Sequence, residues 1–187
     1  MPSELRSVTG SSTVFPPMLN LAGITEDSIV DGPGIRTTFY AQGCPHHCPG
    51  CHNPETWAFE GGVPMEEIRL LEIVQSNPLC HGVTFSGGEP FAQPEGFAAL
   101  AALLHEKGYE VASYSGYTFE QLFTGTTAQK QLLSQLDVLI DGPFLLSEKS
   151  LELNFRGSRN QRVLNVPESL RAGSPVPETS DRWLGEY

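Results

Sequence analysis

GVTFSGGEPFAQPEGFAALAALLHEKGYEVASYS, residues 82–115, holds a complete strand–helix–strand unit. GVTFSGG (82–88) is a short β run closed by glycines, and PEGFAALAALLHEKG (94–108) is an Ala- and Leu-rich helix stopped by Gly108. YEVASYS (109–115) then returns to strand. Upstream, LNLAGI (19–24) and IRTTFYA (35–41) read as strands separated by a DGPG turn at Asp31 to Gly34. VPMEEIRLLEIVQS (63–76) sets Met65, Ile68, Leu71, Ile73 and Val74 on one apolar stripe at helical spacing. Downstream come a weaker helix, AQKQLLSQL (128–136), an apolar strand, DVLID (137–141), and a last strand, QRVLNV (161–166). Strands alternating with helices predict βα units and a mainly parallel sheet.

The flanks differ from this core. Residues 1–18 are rich in Ser, Thr and Pro and are expected to form an irregular arm; 167–187, with three prolines and no clear period, are expected to form a surface tail. The domain is thus 19–166 in a chain of 187 residues. That is too short for a complete eight-unit α/β barrel of about 250 residues, and at ~31 residues per unit it holds about five. Apolar residues are 39% of the chain, and no apolar run nears the ~18 residues of a membrane span. A net charge of −11 disfavours phosphate backbones, so neither nucleic acid nor membrane is expected as a partner.

Three of the four cysteines fall within eight residues: Cys44, Cys48 and Cys51 in GCPHHCPGCHN. An odd cluster cannot pair off internally, so it reads as a ligand set rather than a disulfide framework. With no cationic leader and apolar core at the N-terminus, a reducing cytoplasm is the expected compartment. Cys80 stands alone and reads as a small buried hydrophobe. Thiolates are soft ligands for both zinc and iron–sulfur clusters. A structural zinc site needs a fourth ligand, which His46, His47 or His52 could supply in a Cys3His module; a four-iron cluster on three thiolates leaves one iron open. His46 and His47 read more simply as exposed loop residues.

The spacing C-x3-C-x2-C at Cys44, Cys48 and Cys51, followed after the next strand by Gly87, Gly88, Glu89 and Pro90, resembles the radical S-adenosylmethionine (SAM) enzymes. The resemblance implies an α/β fold, a partial (open) βα barrel of the radical SAM type with roughly five βα units. It also implies a [4Fe–4S] cluster on the three cysteines and SAM as cofactor, with Gly50, His52, Gly87, Gly88 and Glu89 as cofactor-binding residues. The glycine turn would expose backbone groups to the amino group of SAM, and Glu89 would help neutralise that ammonium. The chemistry implied is one-electron reduction of SAM, giving a 5′-deoxyadenosyl radical; no catalytic side chain beyond the cluster and SAM is implied. Gly50 departs from the family, which often has an aromatic residue before the third cysteine. Tyr114 and Ser115 end a strand beside the expected site.

SIVDGPGIRTTFYAQGC before the cysteines and CHNPETWAF after them resemble the activases of glycyl-radical enzymes. VLIDGPF (138–144) and LNFRGSRNQRV (153–163) resemble the branch acting on anaerobic ribonucleoside-triphosphate reductase. The partners implied are the large subunit of that reductase, as protein substrate, and a low-potential electron donor such as flavodoxin or ferredoxin. Pyruvate formate-lyase-type activases and the small deazaguanine synthases are neighbouring alternatives, and the zinc module is the non-catalytic one. Arg156, Arg159 and Arg162 read either as a solvated turn or as a docking point or an arm near the SAM carboxylate.

Overall fold

The computed structural model describes residues 18–185, so the expected N-terminal arm lies, Met18 apart, outside the described residues. Strands β1 (Leu19–Ser28) and β2 (Arg36–Ala41) form an antiparallel hairpin around the DGPG turn, with Leu21 opposite Ala41 and Ser28 opposite Arg36. The cysteine loop follows β2 directly. The chain then makes β3 (Val63–Met65), which pairs antiparallel with the start of β1, and helix α1 (Glu67–Ser76). Strand β4 (Gly82–Gly87) lies parallel to β2; helix α2 (Pro94–Glu106) leads to β5 (Glu110–Tyr114), parallel to β4. Two short helices, α3 (Phe119–Phe123) and α4 (Thr127–Ser134), lead to β6 (Val138–Asp141), parallel to β5. After a long connection, β7 (Arg162–Asn165) runs antiparallel to β6. The seven strands form one mixed sheet in the order β3-β1-β2-β4-β5-β6-β7.

The alternation expected from sequence holds through the middle of this sheet, and two details differ. VPM, expected as the first turn of a helix, is a strand. Its backbone pairs with Leu19–Leu21, so α1 starts only at Glu67. Four strands are parallel, joined by three helical crossovers, rather than the five units expected. LNLAGI joins through a tight turn and QRVLNV through a loop, and both connections produce antiparallel pairs.

Each strand's alternation sorts its side chains to two unlike faces. Phe39, Val83, Phe85, Val111, Leu139 and Leu164 face the helices, where they meet Leu70, Val74, Phe97, Leu100, Leu104, Leu132 and Leu133 in one buried core. The opposite face carries a smaller cluster of Ala112, Val138, Ile140 and Trp183, with Tyr114, Phe155 and Val163 against it. Parallel strands buried on both sides read as continuous apolar runs, as DVLID does.

The C-terminal segment, expected as a surface tail without regular structure, forms helices and packs on the sheet. Helix α5 (Val166–Ala172) buries Val166 and Ser169, and the chain then turns back along β7: Asn165 N–H donates to the Val176 carbonyl at 3.0 Å and Glu178 N–H to the Val163 carbonyl at 2.9 Å. Helix α6 (Asp181–Leu184) sets Trp183, only 2% exposed, on the non-helical face of the sheet. Its Nε1 donates to Glu110 at 3.1 Å, its ring meets that of Phe155 edge-on at 5.4 Å, and the guanidinium of the fully buried Arg36 lies 5.4 Å from its centroid. These partners are distant in sequence, which is why a local reading sees no structure there.

A second tie joins α2 to the sheet. His105 Nε2 lies 3.0 Å from Asp137, which also accepts from Val111 N–H at 2.7 Å. The hydrogen bond to Asp137 raises the His105 pKa, against the effect of burial. Burial pushes Asp137 up, but the bonds from His105 and Val111 outweigh it and hold the carboxyl below its ordinary value. The His105 contribution is therefore complete below its unfolded value of 6.5 and fades as pH rises through the raised folded value; the Asp137 contribution is complete above 3.8 and fades as pH falls. Both side chains are more than a third exposed, so the pair contributes less than about 1 kcal/mol. Replacing His105 with glutamine is expected to flatten the fall in Tm just above pH 6.5, checked by melts at a series of pH values.

Candidate active site

The C-terminal ends of β2, β4 and β5 converge on a cleft of about 400 Å³. Its lining includes Cys44, Cys48 and Cys51 from the loop after β2, His52 and Trp57 beyond them, Gly87 and Gly88 at the end of β4, and Tyr114, Ser115 and Gly116 at the end of β5. The long β6–β7 connection closes the far side with Phe144, Leu153, Phe155, Arg156 and Gln161. Ligands of α/β sheets bind outside the carboxyl ends of the strands, which is where these residues gather.

The cysteine loop is clamped at its base. Gly43 N–H donates to the Thr56 carbonyl at 2.8 Å and Cys44 N–H to Trp57 at 3.1 Å, while the Gln42 amide reaches the Ala58 carbonyl at 2.6 Å. Within the loop, Cys51 N–H donates to the Cys48 carbonyl at 3.0 Å, and the Cys51 sulfur accepts from Asn53 N–H at 3.4 Å. All four cysteines are free thiols. Burial pushes the Cys44 thiol above its ordinary value, with backbone N–H groups of His46 and His47 pulling the other way. A metal that takes the thiolate would therefore release a proton on binding.

The glycine turn is sewn onto this loop. Gly88 N–H donates to the Ala41 carbonyl at 2.8 Å and Glu89 N–H to the Gly43 carbonyl at 2.9 Å. A Cβ on Gly88 would sit 2.3 Å from the Gly43 oxygen, and one on Gly87, whose φ is +89°, would sit 2.7 Å from Tyr40 Cα. The glycines are thus demanded by the approach of β2 and the cysteine loop, not only by a ligand. With both N–H groups engaged, the turn offers a ligand its carbonyl oxygens, the acceptors that an ammonium needs.

Of the residues expected at the site, the three cysteines, His52, Gly87 and Gly88 line the cleft, whereas Gly50 and Glu89 do not. Gly50 is an exposed turn residue with φ +74°, and a Cβ there would meet Leu146 at 2.9 Å. That conformation explains why no aromatic residue precedes Cys51. Glu89 is fully buried behind the wall, and its carboxylate accepts from Phe91 N–H (3.0 Å), the Ser115 hydroxyl (3.0 Å), Gly116 N–H (2.8 Å) and His46 Nε2 (2.8 Å). Four donors use the carboxylate's capacity, so it organises the wall rather than facing a ligand's ammonium. His46, expected in solvent, is held there, its ring edge-on to Tyr117 at 4.5 Å. Replacing Glu89 with glutamine turns an amide group toward two of these donors and is expected to cost about 1–3 kcal/mol, read from a urea melt.

Beyond the expected residues the cleft takes in Asp31, Tyr40, Phe144 and Phe155, while Tyr114 and Ser115, read as ending a strand beside the site, do line it. Asp31, from the DGPG turn, accepts from the hydroxyls of Thr38 at 2.9 Å and Tyr40 at 3.4 Å. Burial raises the pKa of both Tyr40 and Tyr114, so each phenol stays protonated; Tyr114 donates to the Phe155 carbonyl at 2.9 Å. His52 packs against Phe144, ring centroids 5.1 Å apart. Among the described residues no three His, Cys, Asp or Glu side chains converge as around a single metal ion. Three soft thiolates on one wall and a carbonyl-bearing turn on another fit a polynuclear iron–sulfur group beside an amino-bearing ligand.

Comparison with known proteins agrees. Residues 30–164 match the family model described as a 4Fe-4S single cluster domain. Anaerobic ribonucleoside-triphosphate reductase-activating proteins are 34% identical over 144 residues in Salmonella typhi (72% of this chain, 91% of that one) and 35% identical over 144 residues in Pasteurella multocida (72% and 90%). The pyruvate formate-lyase-activating enzyme of Clostridium pasteurianum is 36% identical over 118 residues, 58% of this chain and 50% of its own. The solved structure of QueE from Escherichia coli aligns at TM-score 0.40 and 19% identity over 55% of this chain and 53% of that one, too distant to decide the architecture. The cluster fold with its three cysteines, and relatives that span nine-tenths of their own length here, place this chain in the family of anaerobic ribonucleoside-triphosphate reductase-activating proteins, radical SAM enzymes that use a [4Fe–4S] cluster and SAM.

Proposed function

We propose that this protein generates a glycyl radical on the large subunit of an anaerobic ribonucleoside-triphosphate reductase. The observation that carries this reading is the convergence of Cys44, Cys48 and Cys51 with Gly87 and Gly88 on one cleft. The three cysteines would hold the cluster. The carbonyls of the glycine turn would take the amino group of SAM, and His52, packed against Phe144, would lie beside the adenosyl part. Bound there, the cluster and SAM supply low-potential electron transfer and a 5′-deoxyadenosyl radical that takes hydrogen from a glycine Cα. The protein orients, and excludes water: Tyr40, Tyr114, Phe144 and Phe155 line the cleft with rings.

The sheet supports a partial barrel as the finer description. Its helices lie on one face, its cleft on the other, and its strand order leaves β3 and β7 unjoined, open to a polypeptide. A flavodoxin or ferredoxin would supply the electron, and the cytoplasm is the fitting compartment; among the described residues no helix is long and apolar enough to cross a membrane.

The test is anaerobic reconstitution with iron and sulfide, then incubation with the reductase large subunit, a reductant and SAM. A glycyl-radical doublet in the EPR spectrum, with 5′-deoxyadenosine and methionine released, is expected. A small-molecule product without a protein radical would move the assignment to a synthase, and zinc without a cluster would end it.

A further inference from the structure

Seven arginines lie in the described part of this acidic chain, and six of them are ion-paired: Arg36 and Arg182 with Glu110, Arg69 with Glu72, Arg159 with Glu152, Arg162 with Asp141 and Glu120, and Arg171 with Glu168. Of these seven arginines Arg156 alone has no carboxylate partner among the described residues, and it lines the cleft. Its Nη1 donates to the Gln161 carbonyl at 3.2 Å, while its Nε is buried with no hydrogen-bond partner. A guanidinium is always charged and presents a planar fork of donors matched to a carboxylate. A buried donor left without an acceptor is a standing cost of holding the side chain here, and Nη2, which makes no hydrogen bond to a described residue, is the edge left for a ligand oxygen.

The backbone around it is held in a strained and supported position. Phe155, immediately before, has φ +55°, rare for a bulky residue; its carbonyl accepts from Tyr114 and its ring rests on Trp183. Asn154 Nδ2 donates to the Leu184 carbonyl at 2.7 Å, so α6 braces this wall directly. Gly157, immediately after, lies close enough to His52 that a Cβ there would be 3.4 Å from the imidazole Cε1. The unpaired arginine therefore stands on the wall next to the cysteine loop.

We propose that Arg156 is a carboxylate-binding residue of the cleft. Resting on the activase reading, the carboxylate has two sources: the methionyl end of SAM, or an acidic side chain of the polypeptide that enters. Arg159 and Arg162, engaged elsewhere, do not share the role.

The experiment measures equilibrium binding to the reconstituted protein under anaerobic conditions, for wild type, Arg156→Gln, Arg156→Lys and, as a remote control, Arg171→Gln. The probes are SAM, decarboxylated SAM and the reductase large subunit. If SAM is the source, Arg156→Gln weakens SAM by about tenfold or more yet leaves decarboxylated SAM unaffected. If the polypeptide is the source, affinity for the large subunit falls by a similar factor and SAM binding does not change. Arg156→Lys, which keeps the charge and loses the fork, is intermediate and covers the case in which glutamine unfolds the loop. Unchanged affinities for all three probes, or equal losses for SAM and decarboxylated SAM, would overturn the proposal. A wild-type protein that binds no SAM would instead count against the activase reading, and the polypeptide probe would then decide the role of Arg156.

Discussion

Cys48→Ala is expected to purify without a cluster and to cleave SAM at no more than background, and Cys44→Ala and Cys51→Ala should do the same. On the proposed reading three thiolates are the whole protein ligand set, and no second knuckle exists in the sequence to replace a lost one. The fold should survive. The loop is closed by backbone bonds from Gly43 and Cys44 to Thr56 and Trp57, which do not involve a cysteine side chain. Iron content and the charge-transfer absorbance after reconstitution measure the first effect, and far-UV circular dichroism the second. Cys80→Ser is the internal control. Its sulfur lies 3.2 Å from the Gly82 carbonyl and 3.5 Å from the Thr37 hydroxyl, at the start of β4 and so at the opposite end of the sheet from the cleft. Iron content there should equal that of the wild type; a loss would show that four cysteines, not three, serve the cluster.

Gly88→Ala should be among the most damaging single methyl additions to the described residues. The new Cβ meets two backbone oxygens, Gly43 at 2.3 Å and Ala41 at 2.9 Å, and neither can swing aside as a side chain could. Relief requires parting the turn from β2, which breaks the bonds from Gly88 and Glu89 and shifts the residue preceding Cys44. A loss of about 3–5 kcal/mol is expected, at the top of the range for single substitutions, together with a low iron yield. Gly108→Ala is the comparison: with φ +81° but nothing within 4 Å of the added carbon, it should cost only about 1 kcal/mol. Chemical denaturation of the two apo-proteins separates the cases, and similar midpoints would refute the packing argument.

The chemistry was legible because it is local. Cys44, Cys48, Cys51, Gly87 and Gly88 sit in short runs whose spacing carries the meaning, and all five line the cleft. Glu89 was legible as a site residue but not in its direction, because whether a carboxylate faces a ligand or four protein donors depends on Ser115, Gly116 and His46, contributed from elsewhere in the chain. Arg156 could be picked out only once the other arginines were seen to be paired. In the fold, the alternation around α2 was readable because strand and helix periods differ. VPM was not, since Met65 continues the apolar stripe of α1 although its backbone belongs to β3 and pairs with β1. Helix α3 has a local signal of its own in the sequence, the Thr118 and Gln121 capping box.

The two outermost strands of the sheet are finished alike. Val63–Met65 is three residues long with Pro64 at its centre, and the outer side of β7 is covered by a segment in which Pro177 lies opposite Leu164. Proline offers no N–H, so a further strand cannot hydrogen-bond across either rim in the regular way. A sheet whose outer strands do not join each other is exposed to pairing edge to edge with its own copies. These two prolines guard against that, and a chain cut back to Gly173 would uncover the outer side of β7 as an aggregation-prone edge.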